Sequence, residues 1–221
     1  MEPRTHDYVA NMGERWLPYA AAALATGASA LTMGVLTLPS SPSGTGLVDT
    51  LNASPDRWLL ASAAFMYAAF ALTLGIPTFL HLLKTRGRQT GQVGAVVLAF
   101  GTIGIAGYAA LLLLFRALAA PDLAGAVEAL SHDTGLRVYL GTFLFAFGAG
   151  LAILSVALLM ARTVARWIPL LMIGYVICST FVQELPQGMQ AIHAVAIGVA
   201  LIAVAVSANE SWSGLSRRAP R

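Results

Sequence analysis

In a chain that is otherwise apolar, the residues able to do chemistry gather around one short connection. Gln183 and Glu184 end one hydrophobic stretch, Leu185-Pro186 turns the chain, and Gln187, Gln190 and His193 open the next. Gln190 and His193 are three residues apart, which on a helix puts them on one face. His193 lies six residues into that helix, about 9 Å along its axis. Imidazole is the side chain whose charge changes nearest neutral pH, so His193 and Glu184 are the titrating members of the group. Tyr67 and Tyr108, on two other stretches, are expected at a similar depth, with Thr142 and Thr180 near them. A buried phenol needs a hydrogen-bond partner. A shared polar pocket built from His193, Gln190, Glu184, Gln183, Tyr67 and Tyr108 would satisfy them all. Such a pocket would bind a ligand or a proton, open outward, and change its occupancy with pH near neutrality. The competing reading is that His193 bonds a neighbouring helix and only fixes packing. Gln183, Glu184 and Gln187 are then an ordinary wet loop.

Other chemistry lacks its residues. There is no Walker sequence and no Gly-x-Ser-x-Gly elbow, so neither a nucleotide site nor a serine hydrolase is indicated. No pair of aspartates falls inside an apolar stretch, and the single lysine, Lys84, sits at a boundary. A membrane haem needs two histidines bracketing one plane, whereas His81 and His193 belong to opposite faces. Zinc wants three or four ligands, and His132, Asp133, Glu184 and His193 converge only if a loop folds over the bundle. No cofactor and no metal are therefore expected. Cys178 is the one cysteine, so no disulfide forms within the chain.

The elements that must position these residues follow from hydropathy. Hydrophobic residues make up 57% of the 221 and charged residues 10%. A soluble domain has about 25% charged residues, so lipid is the expected solvent. Six stretches are long and apolar enough to cross a bilayer: 17–38, 58–83, 92–115, 136–161, 167–182 and 187–207. The fold class is all-α, a polytopic six-helix membrane bundle. Residues 1–16 form a cytoplasmic segment, 17–207 the transmembrane domain and 208–221 a basic cytoplasmic tail. The apolar run of the first stretch is longer than a signal core, so it is read as an uncleaved span. Ten basic residues fall on one side: Arg4, Arg15, Lys84, Arg86, Arg88, Arg162, Arg166, Arg217, Arg218 and Arg221. Only Arg57, Arg116 and Arg137 fall on the other. By the positive-inside rule both termini are cytoplasmic. These arginines are read as topology signals and anionic-lipid contacts, not as a nucleic-acid surface.

Trp16, Trp58, Trp167 and Trp212 all fall at span boundaries and are read as headgroup-level anchors. Of the two longer outer connections, 40–57 reads as an irregular loop. The other, 121–133, carries Leu123, Val127 and Leu130 at helical spacing and reads as a short amphipathic helix on the outer surface. Small residues recur every seven positions: Ala20, Gly27 and Gly34; Ala61, Ala68 and Gly75; Gly94 and Gly101, with Gly104 and Gly107 beside them; Gly141 and Gly148. Each set is expected to mark a close helix contact. Gly75-Ile76-Pro77 is the one candidate hinge.

The Arg-rich turn Lys84-Thr85-Arg86-Gly87-Arg88 and the Gly188-Met189-Gln190 opening of the last span resemble those of small six-span integral membrane proteins of actinobacteria. The arginine, alanine and glycine usage fits a GC-rich bacterial genome. The resemblance implies a multi-pass protein of the bacterial inner membrane and no particular activity. Function is left between two readings. One is binding or transport of a small hydrophobic or lipid-like molecule through the His193 region. The other is an accessory or immunity-type role through contact with a partner membrane protein. A membrane-embedded enzyme trails, because no nucleophile–base set is visible.

Overall fold

The structure is a computed structural model, and it describes residues 16–39, 47–83, 86–119, 123–181 and 187–218. Among these, eight helices follow in order: α1 (Leu17–Thr37), α2 (Leu47–Ala53), α3 (Pro55–Leu82), α4 (Arg88–Ala117), α5 (Ala124–Ser131), α6 (Thr134–Ala161), α7 (Trp167–Ser179) and α8 (Gln187–Arg218). Five segments are long and apolar enough to cross a membrane: α1, α3, α4, α6 and the Met189–Ser213 part of α8. Apolar side chains cover the outside as well as the core; Phe145, for example, is 77% exposed. The chain is thus a multi-pass helical membrane protein with lipid as its solvent.

Of the other three helices, α7 is apolar but has only 13 residues. That is about 20 Å of helix against a hydrocarbon core of about 30 Å. Sequence alone extends this element to Val182, which lies outside the described residues. At the end of α7 the Ser179 and Thr180 hydroxyls donate to the carbonyls of Val176 and Ile177 at 2.6 and 2.7 Å. At the other extreme, α8 continues past Ser207 through the segment that composition sets apart as a tail.

The helices form a ring. Each of α1, α3, α4, α6, α7 and α8 packs on the next, and α8 closes on α1. Neighbours run antiparallel. Both termini of the described chain lie at one end of the bundle, the terminal end, and the α1–α3 and α4–α6 connections lie at the other, the capped end.

Two pairs in this ring approach closely because glycines leave room. Along α1 and α3, Gly27 faces Leu72, Gly34 faces Phe65 and Gly75 faces Leu24. A Cβ on Gly75 would lie 2.8 Å from the Leu24 Cα. Gly75 is therefore a contact residue, and α3 runs unbroken through Pro77, so the expected hinge is not one. Along α4 and α6, Gly94, Gly101 and Gly104 receive Leu154, Phe147 and Phe143, while Gly150 receives Leu98. The expected Gly141/Gly148 contact stripe is corrected here. A Cβ on Gly141 would meet nothing within 4 Å, and one on Gly148 only Val176 Cγ1 at 3.9 Å. The physical reason is that α4 supplies most of the glycine grooves at this interface and α6 supplies the bulky knobs, so the glycine face of α6 turns away. Gly107 likewise faces open space. Hydroxyls join α3 to α4: Ser62 donates to the Ala109 carbonyl at 2.8 Å, and Thr73 and Thr102 share a 2.8 Å bond. Gly87, at φ +75°, begins α4 beside Ala157, a conformation glycine adopts without strain.

The capped end carries two corrections. The 40–57 connection is not wholly irregular, since 47–53 forms α2. Its Leu51 is buried, and Asp49 in the first turn complements the helix dipole. The second short helix, α5, does form, but it docks on α2 rather than lying free on a surface. Val127 is fully buried, while Leu123 stays exposed. Trp58 is not a headgroup anchor either. It is 5% exposed beneath this cap, and its ring N–H donates to the Thr50 carbonyl at 3.4 Å. Trp16 and Trp167 are exposed, as anchors would be. Two arginines pin the cap, Arg57 to the Thr37 carbonyl at 3.2 Å and Arg116 to the Pro55 carbonyl at 3.1 Å.

The contrast between glycines is testable. Gly101→Ala puts a methyl into the Phe147 backbone and is expected to cost about 1–3 kcal/mol. Gly141→Ala meets nothing and is expected to leave stability unchanged or slightly raised. Thermal unfolding of the two variants in detergent checks this; equal midpoints would refute the contact assignment.

Candidate functional site

The weakly packed arc of the ring holds the site. The first half of α7 is anchored by buried Ile168, Pro169 and Met172, whereas Ile177, Cys178, Thr180 and Phe181 near its end are exposed. Toward the capped end, α1, α7 and α8 therefore enclose a cleft of about 250 Å³. α1 contributes Leu31, Thr32 and Val35 to its lining, α7 contributes Tyr175 and Ser179, and α8 contributes Gln190, His193, Ala194 and Ile197. Each of the three helices thus brings at least one hydrogen-bonding side chain to the lining.

Its centre is a stacked pair. The rings of Tyr175 and His193 lie 4.2 Å apart between centroids and 16° from parallel. The antiparallel α7–α8 hairpin brings them together, with Tyr175 ten residues before Leu185 and His193 seven after Pro186. Parallel stacking uses the ring faces and leaves the ring edges, which carry the polar atoms, free to point elsewhere.

The hydrogen-bond inventory sorts these polar groups into used and unused. The Thr32 hydroxyl is 3.0 Å from the Ala28 carbonyl and 3.2 Å from the Ala194 carbonyl, so its proton is engaged there. The Ser179 proton is on Val176. Gln190 also has a partner. Among the described residues, neither the Tyr175 hydroxyl nor either His193 ring nitrogen has a hydrogen-bond partner. Both residues keep some exposed surface; among the described residues the one buried side-chain polar atom without a partner is Thr78 Oγ1, on α3. His193 thus meets the neighbouring helix through its stack on Tyr175 and also lines the cleft beside it.

The structure unites only part of the sequence-derived set. His193 and Gln190 line the cleft. Gln183 and Glu184 lie outside the described residues. Tyr67 is 54% exposed on the outside of the α1–α3 pair, where its hydroxyl and Thr26 Oγ1 are 3.1 Å apart. Tyr108 packs edge-on against Phe65 with centroids 5.6 Å apart. Neither lines the cleft, because α3 and α4, which carry them, do not border it. Thr142 and Thr180 bond carbonyls of their own helices. Tyr175 takes the place assigned to Tyr67 and Tyr108. Its signal in the sequence is slight: it is the one tyrosine on the helix that precedes the α7–α8 turn.

Elsewhere, His81 bonds Ser211 at 3.2 Å near the terminal end, and exposed His132 pairs with Glu128 at 3.0 Å. Among the described residues no three His, Cys, Asp or Glu side chains are grouped to hold a metal ion. No family model, curated protein or solved structure matches this chain.

Because His193 makes no hydrogen bond to the described protein, His193→Phe preserves the stack and is expected to melt with the wild type. His193→Ala loses the stacked partner, at a cost of about 0.5–1.5 kcal/mol. A His193→Phe protein destabilised as much as His193→Ala would mean that the ring nitrogens hold the fold.

Proposed function

We propose that this protein binds a small or lipid-like molecule in the cleft between α1, α7 and α8, as the receptor or carrier step of a multi-pass membrane protein. The observation that carries this reading is the stacked Tyr175–His193 pair, whose hydroxyl and ring nitrogens are unmet at the edge of a 250 Å³ cavity. A pocket lined by apolar side chains with a few converging polar groups is the usual form of a small-molecule site. The variant Tyr175→Phe/His193→Phe keeps both rings and removes both hydrogen-bonding edges. Native mass spectrometry of wild type from membranes is expected to reveal a bound small molecule that the double variant lacks. The same adduct at the same occupancy in both proteins would refute the reading.

The same reading takes the bundle as six spans with both termini cytoplasmic, in a bacterial inner membrane. The asymmetry of arginines between the two ends supports it, with α7 completing the ring. Reporter fusions at Gly87 and after Arg221 are expected to report cytoplasm, and fusions within 44–49 the exterior. An exterior signal at Gly87 would overturn this orientation.

One observation favours the second function, contact with a partner membrane protein. Gly141 on α6 and Gly174 on α7 face open space, and small residues on a free face admit another helix. Gly141→Leu and Gly174→Leu would then release a co-purifying membrane protein while leaving the melting temperature intact.

A further inference from the structure

A second cavity abuts the first. It is a groove of about 380 Å³ between α1 and α8, walled by Met33, Leu36, Val195, Val199 and Ile202. Thr32 lines both cavities. It sits where the two helices touch: Gly198 leaves room for its side chain, and its hydroxyl reaches the Ala194 carbonyl. The polar cleft and the apolar groove are thus the two sides of one helix crossing. Met33, Leu36, Val195 and Val199 are left uncovered by protein. Ser29, the other hydroxyl there, donates to the Ala25 carbonyl at 3.0 Å. The groove offers a hydrocarbon chain a surface and offers a polar group almost nothing.

Charge narrows the class of guest. From Leu17 to Thr37, and from Trp167 to Ala208, the sequence has no Lys or Arg, and its single carboxylate is Glu184. Arg57, at the capped end, is engaged with the Thr37 carbonyl and does not line the cleft. Recognition of a phosphate or carboxylate normally uses an arginine or lysine, and an uncompensated charge in such a site is costly. The unmet edges of Tyr175 and His193 instead suit a neutral head with both donor and acceptor capacity, such as a hydroxyl or carbonyl.

Building on the pocket reading above, we infer that cleft and groove together hold one uncharged amphiphile. Its hydroxyl or carbonyl head meets Tyr175 and His193, and its hydrocarbon chain lies along Met33, Leu36, Val195 and Val199. The test uses the full chain purified in detergent, with monooleoylglycerol, oleate and glycerol as probes, and native mass spectrometry as the readout of occupancy. Monooleoylglycerol is expected to bind at least about tenfold more tightly than oleate, and glycerol not to compete. Val199→Trp, or Val195→Trp should the first melt early, fills the groove at an uncovered position and is expected to weaken monooleoylglycerol by about tenfold or more. Oleate binding as well as monooleoylglycerol, no saturable binding of either, or full binding by a normally melting Val199→Trp overturns the inference. Glycerol binding that depends on Tyr175 and His193 but ignores Val199→Trp would remove the groove and leave the pocket reading standing. Monooleoylglycerol binding indifferent to both the groove variant and Tyr175→Phe/His193→Phe would remove both.

Discussion

Close backbone approach is the constraint on which the rest of this structure depends. Lipid gives helices no hydrophobic reason to associate, so attraction must come from van der Waals contact and a few hydrogen bonds. Here it is concentrated in two glycine-lined pairs, α1 with α3 and α4 with α6, joined through the Ser62 and Thr73–Thr102 bonds. At each of these crossings a single added methyl would strike main-chain or core atoms. Such contacts are short-range, so where the glycines cease to meet a neighbour the packing ends abruptly. On α6 it ends on the Gly141–Gly148 face, and on α7 at Gly174. The cleft lies farther round the ring, between α1, α7 and α8.

The site follows from this uneven packing. The short α7 is held by Ile168, Pro169 and Met172 near its start, and its other end lacks comparable support. Two polar residues at that end, Tyr175 and His193, solve half of their problem by stacking. Stacking satisfies ring faces and leaves the edges unmet. A fully satisfied polar pair would have made a packing device, as Ser62 does by bonding Ala109. The pair remains chemically open because nothing on the facing helix α1 completes it; Thr32 there spends its proton on backbone carbonyls.

Depth was legible in the sequence, and azimuth was not. Hydropathy and the α7–α8 turn located His193 and Gln190 within the membrane, and the three-residue spacing put them on one face, as found. The same reasoning set Tyr67 and Tyr108 at a plausible level, yet a residue's level does not say which neighbour its side chain meets. In a ring of helices each face meets a different element, and faces are fixed by which small residues pair. Gly27, Gly34 and Gly75 turned out to pair, while Gly141 and Gly148 did not, and no rule within one stretch distinguishes them. The choice depends on the partner helix: α4 already supplied the grooves. Tyr175 escaped notice because its stretch is uniformly apolar and a lone tyrosine reads as an interfacial residue. Counting from the turn does not pair it with His193 either, since the two lie ten and seven residues from it. The cap was misread for a related reason. Trp58 sits at a boundary by sequence but under α2 and α5 in space, and no hydropathy profile records what lies above it.

Placing the site on the loosest part of the ring has an energetic logic. Regions with few buried contacts open at low cost, and binding elements are drawn from them. A guest between α1, α7 and α8 need not disturb the glycine pairs, because Gly27, Gly75, Gly101 and Gly150 all lie in contacts among α1, α3, α4 and α6. The one glycine contact it borders is Gly198 against Thr32, which divides the cleft from the lipid-facing groove. That contact rests on the Thr32 side chain, with the Ala28 carbonyl oxygen the next nearest atom to the glycine. One position of the Thr32 hydroxyl lies within reach of both the Ala28 and the Ala194 carbonyls. The wall between the two cavities therefore presents a hydroxyl already engaged by protein, which leaves the polar edges of Tyr175 and His193 as the groups that face a guest.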